Sequence, residues 1–336
     1  MTPDPRQWLA DGKMTAAQWR AIAVSIFLIA IDGYDVLSIS FAAPGIAKDW
    51  QIGRAALGVV MSMELLGMAI GSIVIGALAD RYGRRPVVLG CLLLITLGML
   101  MAGFAQQIAV LAAWRLMTGL GIGGVVAAAN ALATEFSNRR QRDLCVAMMA
   151  VGYPVGAVIG GSIAVRLLID NPWTSVFWLG AGLTVTAVPL VLLFVPESVS
   201  WLVSHNDARL LPSLNQSLRA MGYPGVEGLP VGPTSPTATG LRPLFIPPLL
   251  RPTILLSLAY LFHSLTFYFF LKWLPKLLVD MGFAASAAGG VLVWANVGGI
   301  VGGLLLGLLA LRHGARAVTM VEPPPTAITV SFSGRS

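Results

Sequence analysis

Gly71 to Val88 reads G-S-I-V-I-G-A-L-A-D-R-Y-G-R-R-P-V-V, and the fold follows from this stretch. An apolar run of small residues ends in Asp80-Arg81, a glycine and two arginines, and a second apolar run begins at once. Such a pattern predicts a tight turn between two membrane helices. Gly83 permits the reversal, and Arg81, Arg84 and Arg85 stand where the chain leaves lipid on the positively charged side. The phrase returns 231 residues later at Gly302 to Thr319, with Gly71/Gly302, Gly76/Gly307, Leu78/Leu309, Ala79/Ala310, Arg81/Arg312, Gly83/Gly314, Arg85/Arg316 and Val87/Val318 identical. The chain reads as a duplicated membrane unit whose second copy is incomplete.

Composition agrees. Hydrophobic residues make up 56% of the 336, charged residues 11%, and the mean hydropathy is +0.79, more apolar than one soluble core needs. Residues 1–20 are polar and the first apolar run is long enough to span, so it reads as an anchor that stays in place. Runs of about 19 apolar residues predict eight spans, at 21–41, 56–78, 87–105, 109–134, 145–168, 175–195, 253–275 and 286–310. With the N-terminus inside, inward segments hold fifteen Lys and Arg, and outward loops hold only Lys48, Arg54, Arg166, Lys272 and Lys276. That asymmetry predicts a cytoplasmic N-terminus and a multi-pass protein of the cell's inner membrane. A net charge of +7 could point to nucleic acid, but its bases are spread over every inward loop, where the anionic leaflet accounts for them. Cys91 and Cys145 supply neither a disulfide framework nor a metal-ligand set, and no cofactor or metal is expected.

Ionisable residues inside spans carry the functional signal. In the first span, Asp32-Gly33-Tyr34-Asp35 puts two carboxylates at i and i+3, where each ionised acid costs about 2.5–3.5 kcal/mol. A rise of about 1.5 Å per residue places Asp32 near the midplane and Asp35 roughly 9 Å from the outer boundary. A proton or ligand role stands against a pair kept for packing specificity. Glu64 in the second span either titrates with that pair or sits protonated against a neighbouring backbone. Arg115 in the fourth span lies at about the depth of Asp35 on the same rise and needs a carboxylate, either Asp35, a ligand, or both. Glu135 ends that span and reads as a solvated residue. The match to G-x-G-x-x-G at Gly119 to Gly124 is rejected as a nucleotide site because it lies inside an apolar span without a βαβ unit; its glycines instead allow close helix approach. The seventh span is aromatic, and Tyr260, His263 and Phe267 share a face that is either lipid-facing or a wall for a ring. Asn296 in the eighth lies at similar depth.

Between the sixth and seventh spans, prolines, glycines and Ser/Thr predict a flexible connector with a short helix near 207–221. The expected organisation is a six-helix bundle over 1–196, a cytoplasmic connector over 197–250, a partial second bundle over 251–320 and a non-membrane tail over 321–336. Val318 to Met320 resembles the start of a ninth helix that Glu322-Pro323-Pro324-Pro325 breaks. An early stop or a change of frame near Met320 is the simplest account of that ending.

G-A-L-A-D-R-Y-G-R-R at Gly76 to Arg85 resembles the loop signature of the major facilitator superfamily. Arg115-x-x-Thr118-Gly119-x-Gly121 resembles its fourth-helix motif, and Gly152 to Gly161 its fifth-helix motif. The Asp32 to Asp35 pattern together with Pro196-Glu197-Ser198 resembles the bacterial aromatic acid/proton symporters. The resemblance covers roughly residues 15 to 319. It implies an all-α polytopic membrane protein of the major facilitator fold that imports a benzoate-type or hydroxybenzoate-type carboxylate with protons. In that reading Asp32, Asp35 and Glu64 couple protons; Arg115, Tyr260, His263, Phe267 and Asn296 contact substrate; and Gly76, Asp80, Arg81, Gly83, Arg84 and Arg85 form a conformational loop. Leu311 replaces the second acid of the loop motif, and helices nine to twelve are not found, so the chain is expected to be impaired as a transporter. A facilitator for a sugar-like or drug-like solute and a non-transporting membrane fragment are the alternatives. No nucleophile-base set argues for an enzyme.

Overall fold

A computed structural model describes residues 4–205, 207–229, 246–247 and 249–313, with 303–313 as backbone only. Eight helices in it are long and apolar enough to cross a membrane: α2 (Ala16–Asp49), α3 (Arg54–Tyr82), α4 (Arg84–Ala102), α5 (Ile108–Phe136), α6 (Arg142–Asp170), α7 (Thr174–Phe194), α10 (Leu250–Asp280) and α11 (Ala285–His313). They correspond one to one to the expected spans, and no strand occurs among the described residues. Several run past the apolar limits, and in α2 a polar cap accounts for the early start. At the start of α2, Thr15 Oγ1 accepts from the Gln18 N–H at 3.2 Å and Gln18 Oε1 accepts from the Thr15 N–H at 2.9 Å, a reciprocal cap that begins the helix five residues before the apolar run.

Glycines set how closely the first six spans approach. A Cβ on Gly67 or Gly71 of α3 would fall on the carbonyl oxygens of Leu116 and Leu120, and one on Gly119 or Gly123 of α5 would fall on those of Glu64 and Met68. The two helices therefore touch backbone to backbone, which no larger residue allows. Gly33 of α2 and Gly156 of α6 do the same against Tyr153 and Ala30. Helix α2 becomes the centre of the assembly, buried along most of its length and packed against α5, α6, α7 and α10.

The last two spans sit on this bundle with much of their surface uncovered. Helix α10 packs on α2 and α11, and α11 packs on α6, with Gly289 seated on Val165 and Phe41. Tyr260, Phe262, Phe269, Phe270 and Trp294 are exposed. At Gly298, Gly299 and Gly302 a Cβ would meet nothing within 4 Å among the described residues.

The end of the bundle carrying the loop motif is covered by α1 (Pro5–Asp11), α8 (Val199–Ser204), a short 3₁₀ turn (Ala208–Leu210) and α9 (Leu211–Ala220). Leu9, Leu202, Leu214, Leu218 and Met221 from these pieces join the main core. Turn and α9 are the short helix expected near 207–221. Residues 230–245, the loop-motif copy from Gly314 onward, the suggested ninth-helix start and the 321–336 tail lie outside the described residues.

Candidate functional site

Two clusters of charge occupy the first bundle. The deeper one is built by α2, α3, α5 and α10. Arg115 sits one turn before Gly119, and Glu64 supplies the backbone that Gly119 touches, so the glycine contact brings guanidinium and carboxylate together. Arg115 Nη2 donates to Glu64 Oε1 and, at 3.1 Å, to the backbone oxygen of Asp35; Nη1 lies 3.0 Å from Met99 Sδ, and the guanidinium carbon stands 5.5 Å from the Phe177 ring centroid. Both Arg115 and Glu64 are fully enclosed. This corrects the expected partner: Glu64, rather than the Asp35 carboxylate, pairs with Arg115, while Asp35 contributes only its carbonyl. Spacing along one helix does not reveal which neighbouring face a side chain meets.

Glu64 has a second cation. Lys272 Nζ donates to Glu64 Oε2 and to the carbonyl of Val36, and its residue is 2% exposed. The sequence places Lys272 with the outward charges at the end of its span, and the structure instead buries it. Helix α10 passes through Pro275 and continues to Asp280, so Lys272 lies well inside it. The apolar run Leu277-Leu278-Val279 after Pro275 is the signal that the span had not ended.

The two aspartates diverge although they share a helix. Asp35 turns to α7, where Thr184 Oγ1 is 3.4 Å from its Oδ2 and a Cβ on Gly180 would come within 2.8 Å of its Oδ1. Asp32 makes no such contact with α7, and Glu64 and Lys272 are charges that act on it. Both are buried, and Oδ1 of each has no hydrogen-bond partner among the described residues. The Tyr153 hydroxyl, also buried, has none either, and it stands within electrostatic reach of Asp32, Glu64 and Tyr268. Neither Tyr153 nor Tyr268 was singled out from sequence. Of the aromatic face that was, Tyr260 and Phe267 are exposed and His263 is half-buried, stacked on Phe267 at 5.9 Å. Asn296 is buried, and its amide donates to Leu292 of its own helix at 2.9 Å.

The second cluster lies at the loop motif. Gly83 takes φ +105°, a conformation that a side chain resists, and a Cβ there would meet the Glu197 carboxylate at 2.5 Å. That carboxylate accepts from the Arg84 N–H at 2.9 Å and the Arg85 N–H at 3.3 Å, capping the first turn of α4. Arg84 reaches Asp80 at 2.7 Å and Glu135 at 3.5 Å, Ser198 Oγ donates to Glu135, and Trp201 Nε1 donates to the Asp80 carbonyl at 2.8 Å. Arg85 Nη2 donates to the Leu192 carbonyl at 2.6 Å, Arg81 lies over the Tyr82 ring, and Gly76 faces Ala127. Glu135 is therefore no solvated residue: its side chain is 18% exposed, because α8 folds back over the end of α5. Burial pushes the Glu197 pKa up, opposed by the N–H groups of Ser198, Arg85 and Arg84 and assisted by the nearby Glu135.

A membrane bundle of six helices followed by two more, with buried charge at its centre and a capped loop at its end, is the architecture of a multi-pass transporter. The chain belongs to the Major Facilitator Superfamily, whose description residues 24–330 match. It is 30% identical to the gallate transporter of Pseudomonas putida over 319 residues, covering 95% of this chain and 71% of that protein. It is 32% identical to the 4-hydroxybenzoate transporter PcaK of Pseudomonas aeruginosa over 314 residues, covering 90% and 68%. Its fold matches that of the xylose transporter XylE from Escherichia coli in a partially occluded inward open conformation, with a TM-score of 0.69 at 14% identity over 95% of this chain and 80% of that one.

Proposed function

We propose that the chain imports an aromatic carboxylate of the benzoate or hydroxybenzoate type together with protons, across the cell's inner membrane, with its N-terminus in the cytoplasm. The observation that carries this reading is the buried cluster of three acids, Asp32, Asp35 and Glu64, and two cations, Arg115 and Lys272, on membrane-spanning helices. One carboxylate is in excess. An uncompensated charge there is expensive, so the excess is met by a proton, and Asp32 and Asp35 hold it at oxygens with no other partner among the described residues. Relatives named for gallate and 4-hydroxybenzoate support the substrate class. The chain acts as a carrier rather than an enzyme.

In this reading Arg115 is the fixed countercharge that holds Glu64 and the α2 backbone, and the loop cluster joins α3, α4, α5 and α8 at the cytoplasmic end. Alternating access needs two bundles that move against each other. The described residues supply one bundle and two helices of a second, so transport needs helices beyond these eight, from the same chain or another. The test is uptake of labelled 4-hydroxybenzoate into proteoliposomes under an inside-alkaline pH gradient. The protein for this test has residues 1–302 followed by the second-bundle remainder of the Pseudomonas putida gallate transporter; the 336-residue chain alone runs in parallel. Uptake that collapses with an uncoupler is expected from the first and absent from the second. Uptake by the first that ignores the gradient overturns proton coupling, and vigorous uptake by the second as a monomer overturns the need for further helices.

A further inference from the structure

Arg115 and Lys272 share Glu64, but they are not equivalent. Arg115 belongs to the first bundle, is enclosed on every side, and ties down the Asp35 carbonyl as well as Glu64. Lys272 arrives from α10 on a flexible four-carbon stem, and its ammonium has three N–H donors, of which the structure engages two. If a carboxylate took Arg115 away, the α2 backbone would lose its tie. If it took Lys272, Glu64 would keep its guanidinium partner, and one carboxylate would simply replace another on the ammonium. The second exchange keeps Glu64 and the entering carboxylate each on a cation, and the negative charge that the anion adds is met by a proton on the aspartates.

The surroundings of Lys272 fit an aromatic anion. Tyr268 lies one turn earlier on the same face of α10, half-buried against the core. Trp273, the next residue, lies against α3 with a ring carbon 3.2 Å from where a Cβ on Gly58 would be. Aromatic side chains of α10 thus neighbour an ammonium held only by exchangeable acceptors.

We propose that Lys272 is the cation that takes the carboxylate of the transported anion, displacing Glu64, with the ring on the Tyr268 side of the ammonium. The inference rests on the aromatic-carboxylate reading above and adds a residue to it. Because the Lys272 to Glu64 pair joins α10 to α3, occupancy by an anion also breaks a bond between the bundles, which links binding to their relative motion.

Equilibrium binding to the purified 336-residue chain in lipid nanodiscs tests this, with 4-hydroxybenzoate, its neutral methyl ester and non-aromatic cyclohexanecarboxylate as probes. Lys272→Met is expected to weaken binding of the acid about tenfold or more, the loss of one charge-assisted contact, while leaving the ester within about twofold. Acid binding by Lys272→Met within about twofold of the unchanged chain overturns the proposal, as does an equal loss for acid and ester, which marks a structural role only. If cyclohexanecarboxylate binds as well as 4-hydroxybenzoate and both depend on Lys272, the lysine assignment stands and the aromatic reading falls. An unchanged chain that binds none of the three probes overturns both.

Discussion

The acids and bases in the middle of the bundle and those at the loop-motif end sit in surroundings that make them different devices. In the middle, the side chains of Arg115, Glu64 and Lys272 are between 0% and 3% exposed. At the loop, Asp80 is 69% exposed and its partner Arg84 19%. Water reaches the Asp80 side of the loop and screens its pair with Arg84, so that contact contributes little. In the dry middle every charge needs a partner, and a carboxylate more than the cations can match must take a proton or wait for one. Similar residue types thus build a rearrangeable clasp in one place and a charge-counting site in the other.

The contrast breaks if the two clusters respond alike to loss of one member. Glu64→Leu leaves Arg115 and Lys272 buried without their acid and is expected to cost about 3–5 kcal/mol, enough to prevent accumulation of folded protein. Arg84→Ala at the loop is expected to cost about 1 kcal/mol or less. Thermal unfolding in detergent, read by the loss of monodisperse protein, checks both; equal losses would show that the middle is wetter than its burial indicates.

Packing sharpens the same contrast at a smaller magnitude. Gly119→Ala drives a methyl group into the Glu64 carbonyl and parts α3 from α5 just where Arg115 reaches Glu64, with an expected cost of about 3 kcal/mol, the upper range of overpacking. Gly90→Ala on α4 meets nothing within 4 Å among the described residues and is expected to be neutral or to stabilise by up to about 1 kcal/mol through helix propensity. The same unfolding measurement separates them.

The smallest effect is at the loop and depends on pH. Burial raises the Glu197 pKa above the ordinary glutamate value of 4.5, so the folded chain holds that proton more tightly than the unfolded one. The cost of its charge is fully present above the folded pKa and disappears as pH falls toward 4.5, so stability gains on the acid side. Glu197→Gln should flatten that part of the profile. An unchanged acid-side gain in the variant would assign it to another group.

The spans are legible in sequence because an apolar run of the right length has few other uses, and the loop motif is legible because glycine and arginines at a helix boundary each answer a separate physical demand. What is not legible is rotation. Nothing in the spacing of Asp32 and Asp35 says that one looks toward Lys272 and the other toward Thr184, since that depends on how helices turn about their axes. The glycines hold part of this information. Gly67 lies three residues after Glu64 and Gly119 four after Arg115, so each charge shares a face with the glycine that brings its partner close. Lys272 is hidden for a different reason: Pro275 reads as a helix stop, although the helix passes through it.

The central claim is that the buried cluster counts charge, so an entering anion must bring a proton. It is tested most directly by adding 4-hydroxybenzoate to the purified chain in weakly buffered solution at neutral pH and recording the pH change beside the binding isotherm. About one proton taken up per anion bound is expected from linkage, with uptake lost when Asp32→Asn and Asp35→Asn are combined. Saturable binding with no proton uptake, or uptake that survives both substitutions, would contradict it.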